Sequence, residues 1–254
     1  ALTQDGATLT VATTDPTAPG DAARLNVFDP AGAGLGAGAQ RDGAVPGNAG
    51  EALELQRLQD GRLLALATST GTLDIWPADV ADPGTPDTSA TLGAAREIIG
   101  TTGDTLYLSE PGGSGVFTVD LADAGLPESP VAGVPALTLS GGALVSSTGP
   151  DRLLLLDSAS PGAQLYEPVS GTVMGGVSLP HSPVAAVVAP GGGMAAILMA
   201  DGNDRYVVAV PLAARAAGQA VSLPEPVPLG ENAARLTLSA GADLLYVPYP
   251  GPAD

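Results

Sequence analysis

Short apolar runs separated by Gly, Pro, Asp and Ser fill most of the chain, and few windows hold a 3.6-residue apolar period. One type of run recurs directly after a turn: DGATLTVATT at 5–14, DGRLLALATS at 60–69, GDTLYLSEPG at 103–112, PDRLLLLDSA at 150–159, GGGMAAILMA at 191–200 and GADLLYVPYP at 241–250. Each predicts a strand. A second strand is predicted after a Gly/Ser/Pro/Asp turn, in ARLNVFDP, TLDIWPAD, GVFTVDLAD, AQLYEPVSG and RYVVAVPLA. Another precedes the turn, in GEALELQRLQ, AREIIGTT, ALTLSGGALVSS, SPVAAVVAP and NAARLTLSA. Alternation is weak in these preceding runs, which predicts inner strands covered on both faces. Helix is confined to two short candidates, ADVADPG and PLAARAAGQ.

Aligned on Leu9, Leu63, Leu106, Leu153, Ala195 and Leu244, the copies lie 54, 43, 47, 42 and 49 residues apart. Periods of about 40–50 residues belong to β-propeller blades, four-stranded sheets that cannot bury both faces alone. The fold predicted is all-β, a single β-propeller domain over 1–254. The expected blades are roughly 1–45, 46–93, 94–134, 135–179, 180–223 and a partial 224–254, six in number, with seven and missing terminal residues as the alternative. Phe28, Trp76, Phe117, Tyr166 and Tyr206 fall in the second strand of successive copies. Large rings there are expected to fill the wedge between adjacent blades, and a following proline ends the ladder.

HSPVAAVVAPGGGMAAILMADGNDRYVVAVPL and GENAARLTLSAGADLLYVPYPG resemble YVTN-type, YncE-like beta-propeller repeats, in which a strand, an Asp-Gly turn and a Leu-Tyr-Val strand follow one another. LTQDGATLTVAT and LLLLDSASPGAQLYEPVSGTVMGGVSL fit the same template. GRLLALATSTGTLDIW is similar to a WD-repeat segment, although the other copies lack its tryptophan. The resemblance covers nearly the whole chain through degenerate motifs, and what it implies is a fold.

Composition narrows the function classes. Hydrophobic residues make up 44%, enough for a core, while charged residues are 14% against about 25% in an average soluble domain. The net charge of −18 arises from a shortage of bases, since all nine are arginine, a pattern that suits a GC-rich genome. Such a chain repels phosphate backbones and clusters no arginines with aromatics, which argues against nucleic-acid binding. An acidic surface would recruit a basic partner or divalent cations instead. There is no cysteine, so thiolate metal sites, disulfides and thiol nucleophiles are excluded. No apolar run approaches the ~18 residues of a membrane span, so membrane association is expected only through a partner. A start at Ala1 without methionine is read as a mature exported protein, extracytoplasmic (periplasmic or secreted) and bacterial.

Chemical motifs are few. AGAGLGAGA at 31–39 lacks the flanking strand and helix of a dinucleotide loop and is read as an inter-strand excursion. DGNDR at 201–205 lacks the distal carboxylate of a calcium loop and is read as a tight turn. His181, the sole histidine, falls in a connection between blades, and equivalent connections hold Glu51, Arg96 and Glu231-Asn232. These lie 12, 10, 14 and 13 residues before their aligned positions, counting Glu51, Arg96, His181 and Glu231 in turn. Equivalent positions on neighbouring blades would converge on one channel rim, which makes these five the ligand-binding candidates.

No catalytic residue and no cofactor is predicted, and a divalent metal is left open. The function expected is a non-catalytic, exported binding or scaffold protein with a protein partner. The alternatives are a lactonase-like hydrolase with an acidic channel site and a periplasmic metal-delivery protein.

Overall fold

A computed structural model describes residues 9–14, 23–28, 41–44, 53–78, 86–145, 150–217, 219, 222–231, 233, 236–238 and 244–247. The side chains of residues 9–53 are outside that description, as are Glu51, Asn232 and the glycine-rich stretch at 31–39. The chain divides into two compact units, residues 1–97 with 119–128, and residues 98–118 with 129–254.

Strands follow the turn-punctuated runs, and consecutive strands are neighbours in every sheet. β1 (Leu9–Thr14), β2 (Ala23–Phe28) and β3 (Arg41–Ala44) form a three-stranded sheet. Four four-stranded sheets come next. The first joins β4 (Leu53–Arg57), β5 (Leu63–Ala67), β6 (Thr72–Trp76) and β7 (Thr88–Thr91). The second joins β8 (Glu97–Thr102), β9 (Thr105–Ser109), β10 (Val116–Asp120) and β11 (Glu128–Pro130). In the third are β12 (Leu139–Val145), β13 (Arg152–Asp157), β14 (Gly162–Glu167) and β15 (Thr172–Ser178). The fourth contains β16 (Ser182–Val188), β17 (Met194–Asp201), β18 (Asp204–Pro211) and β19 (Val227–Glu231). A pair, β20 (Thr237–Leu238) and β21 (Leu245–Tyr246), ends the series. PLAARAAGQ supplies α1 (Leu212–Ala216), the one helix among the described residues. ADVADPG lies largely outside them.

Packing in the second unit explains the four consecutive leucines of β13. Side chains alternate between sheet faces. Leu153 and Leu155 join Ile99, Tyr107, Val116, Leu139 and Tyr166 in one core. Leu154 and Leu156 join Ala163, Leu165, Ala195, Ile197, Met199 and Val208 in another. β13 is thus covered on both faces, by the sheet before it and the sheet after it. β17 repeats the device: Ala195, Ile197 and Met199 face the preceding sheet, while Leu198 packs with Ala233, Leu236 and Leu245 toward β20–β21.

The inner strands do not match their expected burial. β16, the most continuously apolar of them, is buried only at Pro183 and otherwise half-buried, whereas β5 is buried at all five positions. An inner strand has a ladder neighbour on one side only, and the second strand, flanked on both, carries the core. Tyr166 is buried between two sheets, as expected of a wedge-filling ring, and its hydroxyl donates to the Ala132 carbonyl. Trp76 is buried as well.

Two buried polar groups have consequences that can be measured. Asp74 in β6 is 1% exposed; Ser89 supplies a side-chain hydrogen bond, yet Oδ1 has no partner. Burial raises its pKa above the usual carboxylate value, outweighing the Ser89 bond. A raised carboxylate pKa penalises the fold above that pKa and releases the penalty as pH falls below the unfolded value. Asp74→Asn is therefore expected to stabilise the protein at neutral pH by about 1 kcal/mol, with the gain vanishing in acid. Urea midpoints at pH 7 and in acid check this.

Tyr107 in β9 donates its hydroxyl to Asp151 Oδ2 at 3.1 Å. Burial, then the Asp151 charge and hydrogen bond, push its pKa up to about 12. Spectrophotometric titration should find this phenol neutral until about pH 12. Because the folded value is raised, the stability it contributes is present below about pH 10 and lost on the way to pH 12.

Candidate functional site

Of the described candidates, Arg96 lies in the first unit, and His181 and Glu231 lie in the second. Arg96 precedes β8 and is 3% exposed, too buried to receive a ligand. Its Nε donates to Glu128 Oε1 at 2.5 Å, and its Nη1 donates to the Ala95 carbonyl. Glu128 Oε2 also accepts the Gly93 N–H at 3.1 Å. The guanidinium and carboxylate therefore tie the approach to β8 onto β11, within the first unit. That is a structural clamp.

His181 and Glu231 do share an end of the fourth four-stranded sheet. His181 precedes β16, Ser182 pairs with Ala200, Asp201 pairs with Asp204, and Asp204 pairs with Glu231. The register lines up His181, Asp201, Asp204 and Glu231 across four strands, with the outer two three interstrand spacings, about 14 Å, apart. Glu231 belongs to the fourth strand of this sheet, so it is not the counterpart of His181 on a neighbouring sheet. VPLGE alternates poorly and is exposed at four of five positions, so no apolar pattern marks it as a strand.

The imidazole stacks on Tyr206 with centroids 4.6 Å apart and planes at 17°, and its Nδ1 lies 3.5 Å from Asp201 Oδ2. Tyr206 thus supports the histidine as well as the core beside it. Arg205 donates to the carbonyls of Ala233, Gly202 and Asp204, which fixes the strand end. DGNDR is the expected tight turn: Asp201 and Asp204 close a two-residue hairpin whose first central residue, Gly202, has φ of 58°. No group of three His, Cys, Asp or Glu suited to a metal ion occurs among the described residues.

A concave surface lies elsewhere, on the third four-stranded sheet. Gly162 pairs with Ser178 and Gln164 with Gly176, so these four share the face that carries Leu153, Leu155 and Tyr166. Large side chains stop there, and the glycines leave a cavity of about 420 Å³, open to one side, lined also by Asp157, Ser160 and Val173. Asp157, 9% exposed, accepts the N–H groups of Thr138, Ala159 and Ser160 on Oδ1 and so locks the β13–β14 turn. Pairs of glycines in a strand read in sequence as weak ladder, and so gave no signal of a cavity.

No protein-family model matches the chain, and no curated protein does. Solved structures match throughout its length. The β-propeller domain of Swd1 (Cps50) from Myceliophteria thermophila covers 97% of this chain and 78% of its own, with 10% identity and a TM-score of 0.61. A chain in the mitotic checkpoint complex covers 98% and 70%, with 11% identity and a TM-score of 0.61. Kluyveromyces lactis Hsv2p covers 97% and 69%, with 14% identity and a TM-score of 0.57. At such identities the likeness concerns the fold, an all-β propeller of four-stranded blades. Four such sheets are complete among the described residues. No described helix is long and apolar enough to cross a membrane.

Proposed function

We propose that this chain is a non-catalytic β-propeller that binds protein partners, as a scaffold or accessory subunit of an extracytoplasmic assembly. One observation carries the reading. Arg96 is engaged by Glu128, and His181 by Tyr206 and Asp201, while the open concavity presents Asp157, Ser160, Gln164 and Ser178 among proline, glycine, alanine and valine. The mitotic checkpoint complex, one of the similar structures, is by its name an assembly. Six blades are part of this reading, counting β1–β3 and β20–β21 as blades with fewer strands. The YVTN-type subtype also belongs to it, supported by the Asp-Gly turns and Leu-Tyr-Val strand of the quoted segments.

Native mass spectrometry of the protein isolated from its own source, after mild crosslinking, tests the reading. A stoichiometric protein partner is expected. A free chain carrying a metal ion, or a purified chain that hydrolyses lactones, would overturn it.

A further inference from the structure

β15 is the outer strand of its sheet, seven residues long against five or fewer for β7, β11 and β19. Its far side receives no strand among the described residues. α1 approaches it at Gly175, where an added Cβ would meet the Arg215 carbonyl oxygen at 2.7 Å, so the helix covers a face. The neighbouring residues Leu212 and Ala216 belong to the core on that face. An uncovered edge presents N–H and C=O groups that can pair with an added strand.

The cavity adjoins the end of this edge, at Gly176–Ser178. Asp157 gives it a carboxylate whose Oδ1 is taken up by three backbone amides, and no hydrogen bond engages Oδ2 among the described residues. Glu167 stands opposite Thr172 at the other end of β15. No basic residue lines the cavity, and the chain as a whole carries −18. Charge complementarity thus selects a cation. The volume, at the low end of the roughly 300–1,000 Å³ of ligand sites, suits one long side chain more than a free cofactor.

We infer that β15 and the adjoining cavity bind an extended peptide segment of a partner, which adds as a fifth strand and inserts one lysine or arginine toward Asp157. The inference rests on the protein-binding reading above and names its surface and the chemistry of its partner.

Selection of displayed random heptapeptides on the purified chain tests it, followed by fluorescence anisotropy of the selected peptide. The expected result is a basic residue enriched at one position and slowed amide exchange in β15. Gly176→Val keeps ordinary contacts, since its Cβ would lie 3.5 Å from the Ala163 carbonyl oxygen and 3.6 Å from Gln164 Cγ, and it fills the cavity. That variant and Asp157→Asn should each weaken binding about tenfold or more, as should norleucine in place of the basic residue, the scale expected for loss of a charge-assisted contact.

If Asp157→Asn loosens the turn, Gly176→Val still decides the matter. Selected peptides without a basic position, or indifferent to both variants, overturn the inference and leave the protein-binding reading standing. Self-association of the wild type that Gly176→Val abolishes would make the occupant a second copy and overturn it too. A partner found by native mass spectrometry that ignores both variants does the same.

Discussion

Leu154→Ala and Leu155→Ala are each expected to destabilise the protein by about 2–5 kcal/mol, although the two side chains never share a core. Both residues are at most 2% exposed. Leu154 is surrounded by Leu165, Ala195 and Ile197, and Leu155 by Ile99, Tyr107 and Tyr166. Neither site can relax cheaply, because each cavity would open between two sheets packed face to face. The alternation makes a sharper prediction than the single losses. In milder Leu→Val changes, Leu154 with Leu155 should add to within about 0.5 kcal/mol, as for sites without shared partners. Leu153 with Leu155 occupy one core and should depart from additivity by about 0.5 kcal/mol or more. Urea unfolding of the five Leu→Val variants, three single and two double, measures both. Coupling between Leu154 and Leu155 as large as that between Leu153 and Leu155 would contradict the two-core arrangement.

The same stretch indicates how far sequence alone reaches. RLLLLD could be read as a buried strand because four leucines between Asp-containing turns admit little else, and the copies at Leu63 and Leu106 repeat it. Side-chain period and turn chemistry are local, and so they survive in sequence. What depends on partners far along the chain does not. Glu128 lies 32 residues from Arg96, in the three-residue strand ESP, which has no apolar pattern to mark it as a packing element. Asp201 and Tyr206 were legible as a turn residue and a wedge ring, and only the β17–β18 register brings them to His181. Burial of the inner strands differs from the expectation for a related reason: an Ala/Val-rich run such as VAAVV reports hydrophobicity, whereas burial depends on what the rest of the chain packs against the strand.

Arg96→Leu should cost about 3–5 kcal/mol, the penalty for leaving one member of a buried ion pair without its partner. The guanidinium side chain is 4% exposed and that of Glu128 16%, so water can replace the lost contact only in part. Glu128 would retain the Gly93 N–H on Oε2, which is too little to hold a carboxylate whose Oε1 lost a charged donor. Arg96→Leu combined with Glu128→Leu removes the stranded charge and should recover much of the loss, since apolar replacements of whole buried pairs are often near neutral. Arg96→Lys should fall between, because an ammonium does not reproduce the planar fork that reaches both Glu128 and the Ala95 carbonyl. Thermal and urea unfolding of the three variants give the ordering. A ligand-contacting arginine would behave differently: its replacement would impair binding while leaving stability within about 0.5 kcal/mol, as for surface changes. Destabilisation rescued by the second substitution identifies Arg96 as part of the scaffold, and it moves the search for partners to the surface beside β15.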